Sequence, residues 1–147
     1  MKDGTVRSMT STNNPPSLDD AGFRRALVAA RTAMENRGQD IVILDLRGQT
    51  SIFDYFVLAN GTSRRQLHAM SEEIDHALED GMGDRRMGIE GYEESRWILL
   101  DYGDVVVHLF EPETRAYYAL EDLWAGARPI PLEPYLDQIE LPVTRPR

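Results

Sequence analysis

The sixteen residues Arg96 to Glu111, RWILLDYGDVVVHLFE, constrain this chain more than any other stretch. Two runs with the β-branched and aromatic bias of strands, Trp97 to Leu100 and Val105 to Phe110, flank Asp-Tyr-Gly-Asp. With Gly103 supplying the tight turn, the segment predicts a β-hairpin. If Tyr102 and Gly103 form a two-residue loop, Asp101 faces Asp104 and side chains alternate outward from that pair. One face then holds Ile98, Leu100, Val105, Val107 and Leu109, a pure core face. The other holds Trp97, Leu99, Asp101, Asp104, Val106, His108 and Phe110. Two carboxylates and an imidazole among large apolar groups suit a protein interface better than a dry core. The candidate partner-binding residues are therefore Arg96, Trp97, Leu99, Asp101, Asp104, Val106 and His108. A competing reading has helices covering both faces, with His108 a hydrogen-bonded core histidine. The face lists are conditional, because a one-residue slip of register swaps them.

Around the hairpin the pattern predicts α-β-β-α-β-β-β-α. Ser17 reads as an N-cap, and Leu18, Phe23, Leu27, Ala30 and Met34 recur at helical spacing up to Gly38. Strands are expected over Ile41 to Leu46 and Tyr55 to Ala59. Ser63 with Gln66 forms a capping box for a helix with the stripe Leu67, Met70, Ile74 and Leu78, closed by Gly81 and Gly83. Residues 86–91 read as an edge strand. A helix is expected from Pro112 to about Ala127, with Tyr117, Leu120, Leu123 and Trp124 inward and Tyr118 off that stripe. Residues 1–16, rich in Ser, Thr and Asn, read as a disordered leader; 17–128 as one domain; 129–147 as a proline-rich tail. Five of the eight prolines lie in that tail, which excludes a regular helix or central strand throughout it. Ile130, Leu132, Tyr135, Leu136 and Ile139 within it suit an irregular strap over the domain. The fold class is a single α/β domain, with a mixed five-stranded sheet and helices mainly on one face.

The absence of cysteine removes disulfides, thiolate metal sites and a cysteine nucleophile, and fits a reducing compartment. No apolar run approaches a bilayer span and no signal-peptide core precedes the domain, so a cytoplasmic protein without membrane contact is expected. The formal net charge is -9, and residues 39–124 carry seven Lys or Arg against eighteen Asp or Glu. Phosphate binding over a wide surface needs the opposite sign, so little direct RNA contact is expected.

Residues 39–124 carry a set of motifs in a defined order: QDIVILDL, TSIFDYFVLANGTSRRQ, WILLDYGDVVVHLF and RAYYALEDLW. In these the chain resembles the Iojap-like ribosomal silencing factors. The resemblance implies a non-catalytic translation repressor that binds the large ribosomal subunit through its fourteenth protein and keeps the small subunit from joining. It also implies a nucleotidyltransferase-like topology. For such a factor the acidic charge predicts docking on a basic ribosomal protein rather than on bare RNA, with salt-sensitive attraction. The same hairpin face would also support a homodimer, or an adaptor role on another protein.

An enzyme of the nucleotide-binding class is the chemical alternative. Asn60-Gly61-Thr62-Ser63 leads into a helix, where free N–H groups beside Arg64 and Arg65 would hold an anion. That chemistry also needs carboxylates converging on a metal. No Asp-x-Asp or Asp-x-Glu pair lies on the following strands, although Asp101 and Asp104 flank the hairpin turn. His68 and His76 are about two helical turns apart, too far to share one ion. The residues therefore call for no cofactor, no metal and no catalytic group, and Gly61 to Ser63 reads as a helix cap.

Overall fold

The two strands at the centre of the sheet, Tyr55–Asn60 (β2) and Val105–Phe110 (β5), are buried along their whole length and run parallel. Strands buried on both faces need cover on both, and this dictates the layers. The computed structural model describes residues 14–144. The leader expected at the N-terminus therefore lies outside the described residues as far as residue 13.

Among the described residues six strands, not five, form the sheet, in the order β3-β4-β5-β2-β1-β6. The others are Gln39–Asp45 (β1), Gly88–Glu90 (β3), Trp97–Asp101 (β4) and Arg128–Ile130 (β6). All neighbours except β2 and β5 are antiparallel. The strand missing from the expectation, β6, contains Pro129. Proline is tolerated there because β6 lies at the edge, where one side of the strand needs no ladder donor. It pairs Ile130 with Ile43 and Arg128 with Asp45.

Alternation divides the central strands cleanly. Tyr55, Val57 and Ala59 of β2 pair with Val105, Val107 and Leu109 of β5 and face the larger core, covered by helices Ala21–Glu35 (α1) and Arg64–Asp75 (α2). Helix α1 begins at Asp20, whose Oδ1 accepts from the Gly22 N–H. Ser17, the expected cap, instead holds the preceding turn by accepting from the Asp19 N–H. Helix α2 is capped by Ser63 as expected, then widens into a π-helical turn over His76–Gly81. Tyr55 is fully buried under α1 and donates its hydroxyl to Asp20 at 3.0 Å; burial pushes its phenol pKa well up.

The opposite face carries Leu44, Leu46, Phe56, Leu58, Val106 and Phe110. Its cover differs from the single helix expected over Pro112 to Ala127. Two short helices, Pro112–Tyr118 (α3) and Leu120–Leu123 (α4), are separated by Ala119 in the left-handed region at φ 46°. The break turns Leu120 inward and leaves Tyr117 and Leu123, both expected inside, 81% and 74% exposed. Trp124 packs edge-on against Phe56 at 5.9 Å. The C-terminal segment beyond β6, including helix Glu133–Leu136 (α5), lies on α1: Tyr135 meets Phe23 edge-on at 4.9 Å, and Arg31 donates to the Leu136 carbonyl.

Two buried polar knots fix the ends of the sheet. Asp45 accepts from the Arg47 guanidinium at 2.8 and 2.9 Å and from Arg128 at 3.1 Å, tying β1 to its loop and to β6. Arg115 of α3 donates to the Asp40 carbonyl at 2.6 Å, to Asn60 Oδ1 at 2.9 Å and through two nitrogens to Glu121. Arg115 thus anchors the broken helix pair to the ends of β1 and β2. Replacing it with methionine strands the Asn60 oxygen and the Glu121 carboxylate, and is expected to lower unfolding free energy by about 2–3 kcal/mol. A fall in urea midpoint at constant m-value would report this.

Candidate functional site

The hairpin turn sits one residue further along than a Tyr102-Gly103 loop would place it. Asp101 pairs with Val106 and Leu100 with Val107, and Tyr102 donates its N–H to the Val105 carbonyl. Gly103 and Asp104 are therefore the two central residues, with Gly103 at φ 94°, a conformation glycine adopts without strain. Because the displacement preserves parity along both strands, Ile98, Leu100, Val105, Val107 and Leu109 do face the larger core.

Asp104 is the exception. Freed from the ladder, it turns toward α1 and binds Arg25 at 2.7 Å, while Arg25 also holds Asp84. Asp101 instead accepts from the Gly103 N–H at 2.8 Å. The two carboxylates serve separate partners and do not converge. Among the described residues no group of three or more His, Asp or Glu is placed to hold a metal ion.

The remaining candidates divide by depth. Arg96 is exposed, and Trp97, Leu99 and Asp101 are half-buried along β4. Val106 and His108, one strand further in, are each only 3% exposed. Their expected place on an open face is corrected: Val106 lies in the apolar cluster that Leu120 of α4, Phe53 and Trp124 help to fill, and His108 packs against the Phe56 and Trp97 rings. Beside the edge strand β3, the half-open part of the hairpin is β4. Its entry is set by Gly91, at φ 78°, where a side chain's Cβ would lie 2.0 Å from the Trp97 carbonyl oxygen. His68 reinforces this loop, stacking on Tyr92 and placing Nε2 2.6 Å from Ser95 Oγ.

Beside β4 runs a groove of about 550 Å³, with Trp97, Tyr117 and Tyr118 along it and Glu94, Glu111 and Glu113 around it. The Trp97 ring lies 5.0 Å from Phe110 and 4.9 Å from Tyr118. Thr114 donates to Glu111 at 3.0 Å, and the Glu111 N–H is held by the Arg96 carbonyl. Aromatic faces between carboxylates attract a lysine or arginine side chain by ring quadrupole and by charge. Tyr117, Tyr118, Glu94 and Glu113 are absent from the sequence-based list. The one available signal was the adjacent pair of tyrosines, of which a regular helix would bury at least one.

The turn considered for anion binding is occupied from within. Gln66 Oε1 accepts the Thr62 N–H at 2.7 Å and Ser63 Oγ accepts the Gln66 N–H at 3.0 Å. Arg64 reaches the Glu93 carbonyl. These contacts are those of a helix cap.

His108 is the least ordinary group of the site. Trp97 donates its indole Nε1–H to His108 Nδ1 at 3.0 Å. The imidazole proton must then reside on Nε2, which is enclosed and has no hydrogen-bond partner among the described residues. Burial pulls the imidazole pKa from 6.5 down to about 3. Unfolded chains bind this proton near neutrality while the folded chain refuses it. The stabilisation is complete above pH 6.5 and is lost as pH falls from 6.5 toward 3. His108→Phe is therefore expected to flatten the decline of thermal midpoint over this acidic window relative to the parent, in melts recorded across pH.

Comparison with known proteins bears on this surface. Residues 21–146 match the family described as ribosomal silencing factor during starvation. A protein named ribosomal silencing factor RsfS from Bacillus subtilis (strain 168) is 44% identical over 101 residues, covering 68% of this chain and 84% of its own length. Mouse "Mitochondrial assembly of ribosomal large subunit protein 1" is 36% identical over 92 residues, covering 61% of this chain and 40% of its own. A crystal structure of a Chromobacterium violaceum protein superposes with a TM-score of 0.69 at 35% identity, covering 75% of this chain and 91% of that one.

Proposed function

We propose that this chain, which belongs to the ribosomal silencing factor family, represses translation by docking on the large ribosomal subunit through its fourteenth protein and occluding the small subunit. The observation that carries the reading is the half-open Trp97, set among tyrosines and carboxylates on an acidic domain. The name of the mouse relative points to the large subunit as the assembly concerned. Occlusion needs no chemical step, only a rigid body held where another must go.

In this reading Arg96, Trp97, Leu99 and Asp101 touch the partner directly, with Glu111 and Glu113 meeting its lysines or arginines. Val106 and His108 act from beneath, and Asp104 serves the fold. A surface so rich in carboxylates repels RNA phosphate, so contact runs chiefly through protein. A second copy of the chain seated on the same strip would compete with the ribosome, and light scattering against concentration reads that state directly.

Binding energy concentrates in a central aromatic anchor. Trp97→Ala is expected to weaken co-sedimentation with isolated large subunits by about 2 kcal/mol or more, and parent-like sedimentation would sink the reading. Added salt is expected to weaken the parent's binding, because the flanking carboxylates are only partly shielded from solvent ions. Affinity independent of salt would exclude the charged component.

A further inference from the structure

A hydrocarbon side chain at position 108 would leave no buried N–H unpaired, so the imidazole supplies something that a hydrocarbon cannot. It sits against Phe56 with ring centroids 4.5 Å apart, 3% exposed, its Nε2 enclosed without a partner among the described residues. The one polar contact it makes among the described residues is Nδ1 accepting the Trp97 indole N–H at 3.0 Å. The other neighbours of that indole, Phe110 and Tyr118, are aromatic rings packed at tilted angles of 31° and 48°. Ring packing of this kind holds a position loosely in rotation, whereas a hydrogen bond is directional.

We propose that His108 is a positioning residue: by accepting the Nε1–H of Trp97 it holds the indole in the orientation offered to the partner. The proposal rests on the docking reading above. The register makes the contact possible, since Trp97 pairs with Phe110 and Leu99 with His108, leaving Trp97 and His108 as diagonal neighbours on one face. Its depth makes the contact durable. Burial keeps the ring neutral, so Nδ1 remains an acceptor across the physiological pH range.

The test uses the full chain in co-sedimentation with isolated large subunits, together with the indole N–H resonance of Trp97 in the free protein. His108→Phe and Trp97→Phe are each expected to weaken binding about tenfold, the loss of one well-made hydrogen bond. The double variant is expected to lose no more than either single one, because both remove the same contact. His108→Asn, which returns an acceptor oxygen near the place of Nδ1, is expected to recover most of the loss. The Trp97 indole proton should exchange slowly with solvent in the parent and in His108→Asn, and rapidly in His108→Phe. Losses that multiply in the double variant would overturn the proposal. So would parent-like binding or parent-like exchange in His108→Phe. If His108→Phe does not fold, His108→Asn against Trp97→Phe decides: binding by the asparagine variant as weak as that of the phenylalanine variant overturns it. Should Trp97→Ala itself bind like the parent, the docking reading falls and this proposal with it. Should Trp97→Ala lose binding while His108→Phe keeps it, only the proposal falls.

Discussion

Parallel pairing of β2 with β5 places two wholly buried strands side by side, and every other layer answers to that pair. Neither strand has a face that tolerates water. On one side α1 and α2 close over Val57, Val107 and Leu109 with a continuous apolar core. On the other, the chain has only a short stretch left to cover Phe56, Leu58 and Val106, and it does so with a helix broken at Ala119. That second cover reaches across β5 and meets β4 only in part, with Tyr118 against the Trp97 ring while Trp97 and Leu99 stay half-buried. The open strip bearing Trp97 and Leu99 is thus a consequence of where the cover ends, and the groove beside it is the gap between α3 and the hairpin's entry.

Polar groups inside this architecture hold elements in place more than they perform chemistry. Arg115 fastens the broken helix to β1 and β2, Asp45 gathers two arginines at the β1 end, and Arg25 links α1 to the hairpin turn through Asp104. Each arginine donates to oxygens that fix a loop or join separate elements, through carboxylates at Asp45 and Asp104 and through the Asp40 carbonyl and the Asn60 amide oxygen at Arg115. Rigidity of this kind suits a protein whose proposed action is to occupy space. His108 differs because part of its hydrogen-bonding capacity goes unused, which is why a role directed at Trp97 explains it better than packing does.

The hairpin was the most legible element, and its reading shows the limit of legibility. Side-chain parity along Trp97–Asp101 and Val105–Phe110 survives a shift of the turn by one residue, so the core face was readable without knowing the turn. Asp104 was not, because a residue in the loop belongs to neither face and takes whichever partner α1 presents. Likewise the stripe of Tyr117, Leu120, Leu123 and Trp124 has helical spacing, yet only some of it is inward. Ala119 carries no signal for a left-handed break; the pull comes from Arg115 and Leu120 seeking burial on opposite sides of it. Strand β6 was hidden by Pro129, which marks an edge strand only once a neighbouring strand is known.

The amino-acid pattern by itself determined the order of elements from α1 to β5, the hairpin's core face, the cap at Ser63 and the acidic sign of the surface. These follow from local spacing, turn chemistry and charge, which need no knowledge of distant neighbours. Tertiary structure alone decided how far the second sheet face is covered. That choice left Trp97 half-open and drew Val106 and His108 inside. The reason is that burial depends on which remote segment arrives above a strand, and nothing within the strand's own residues encodes that arrival.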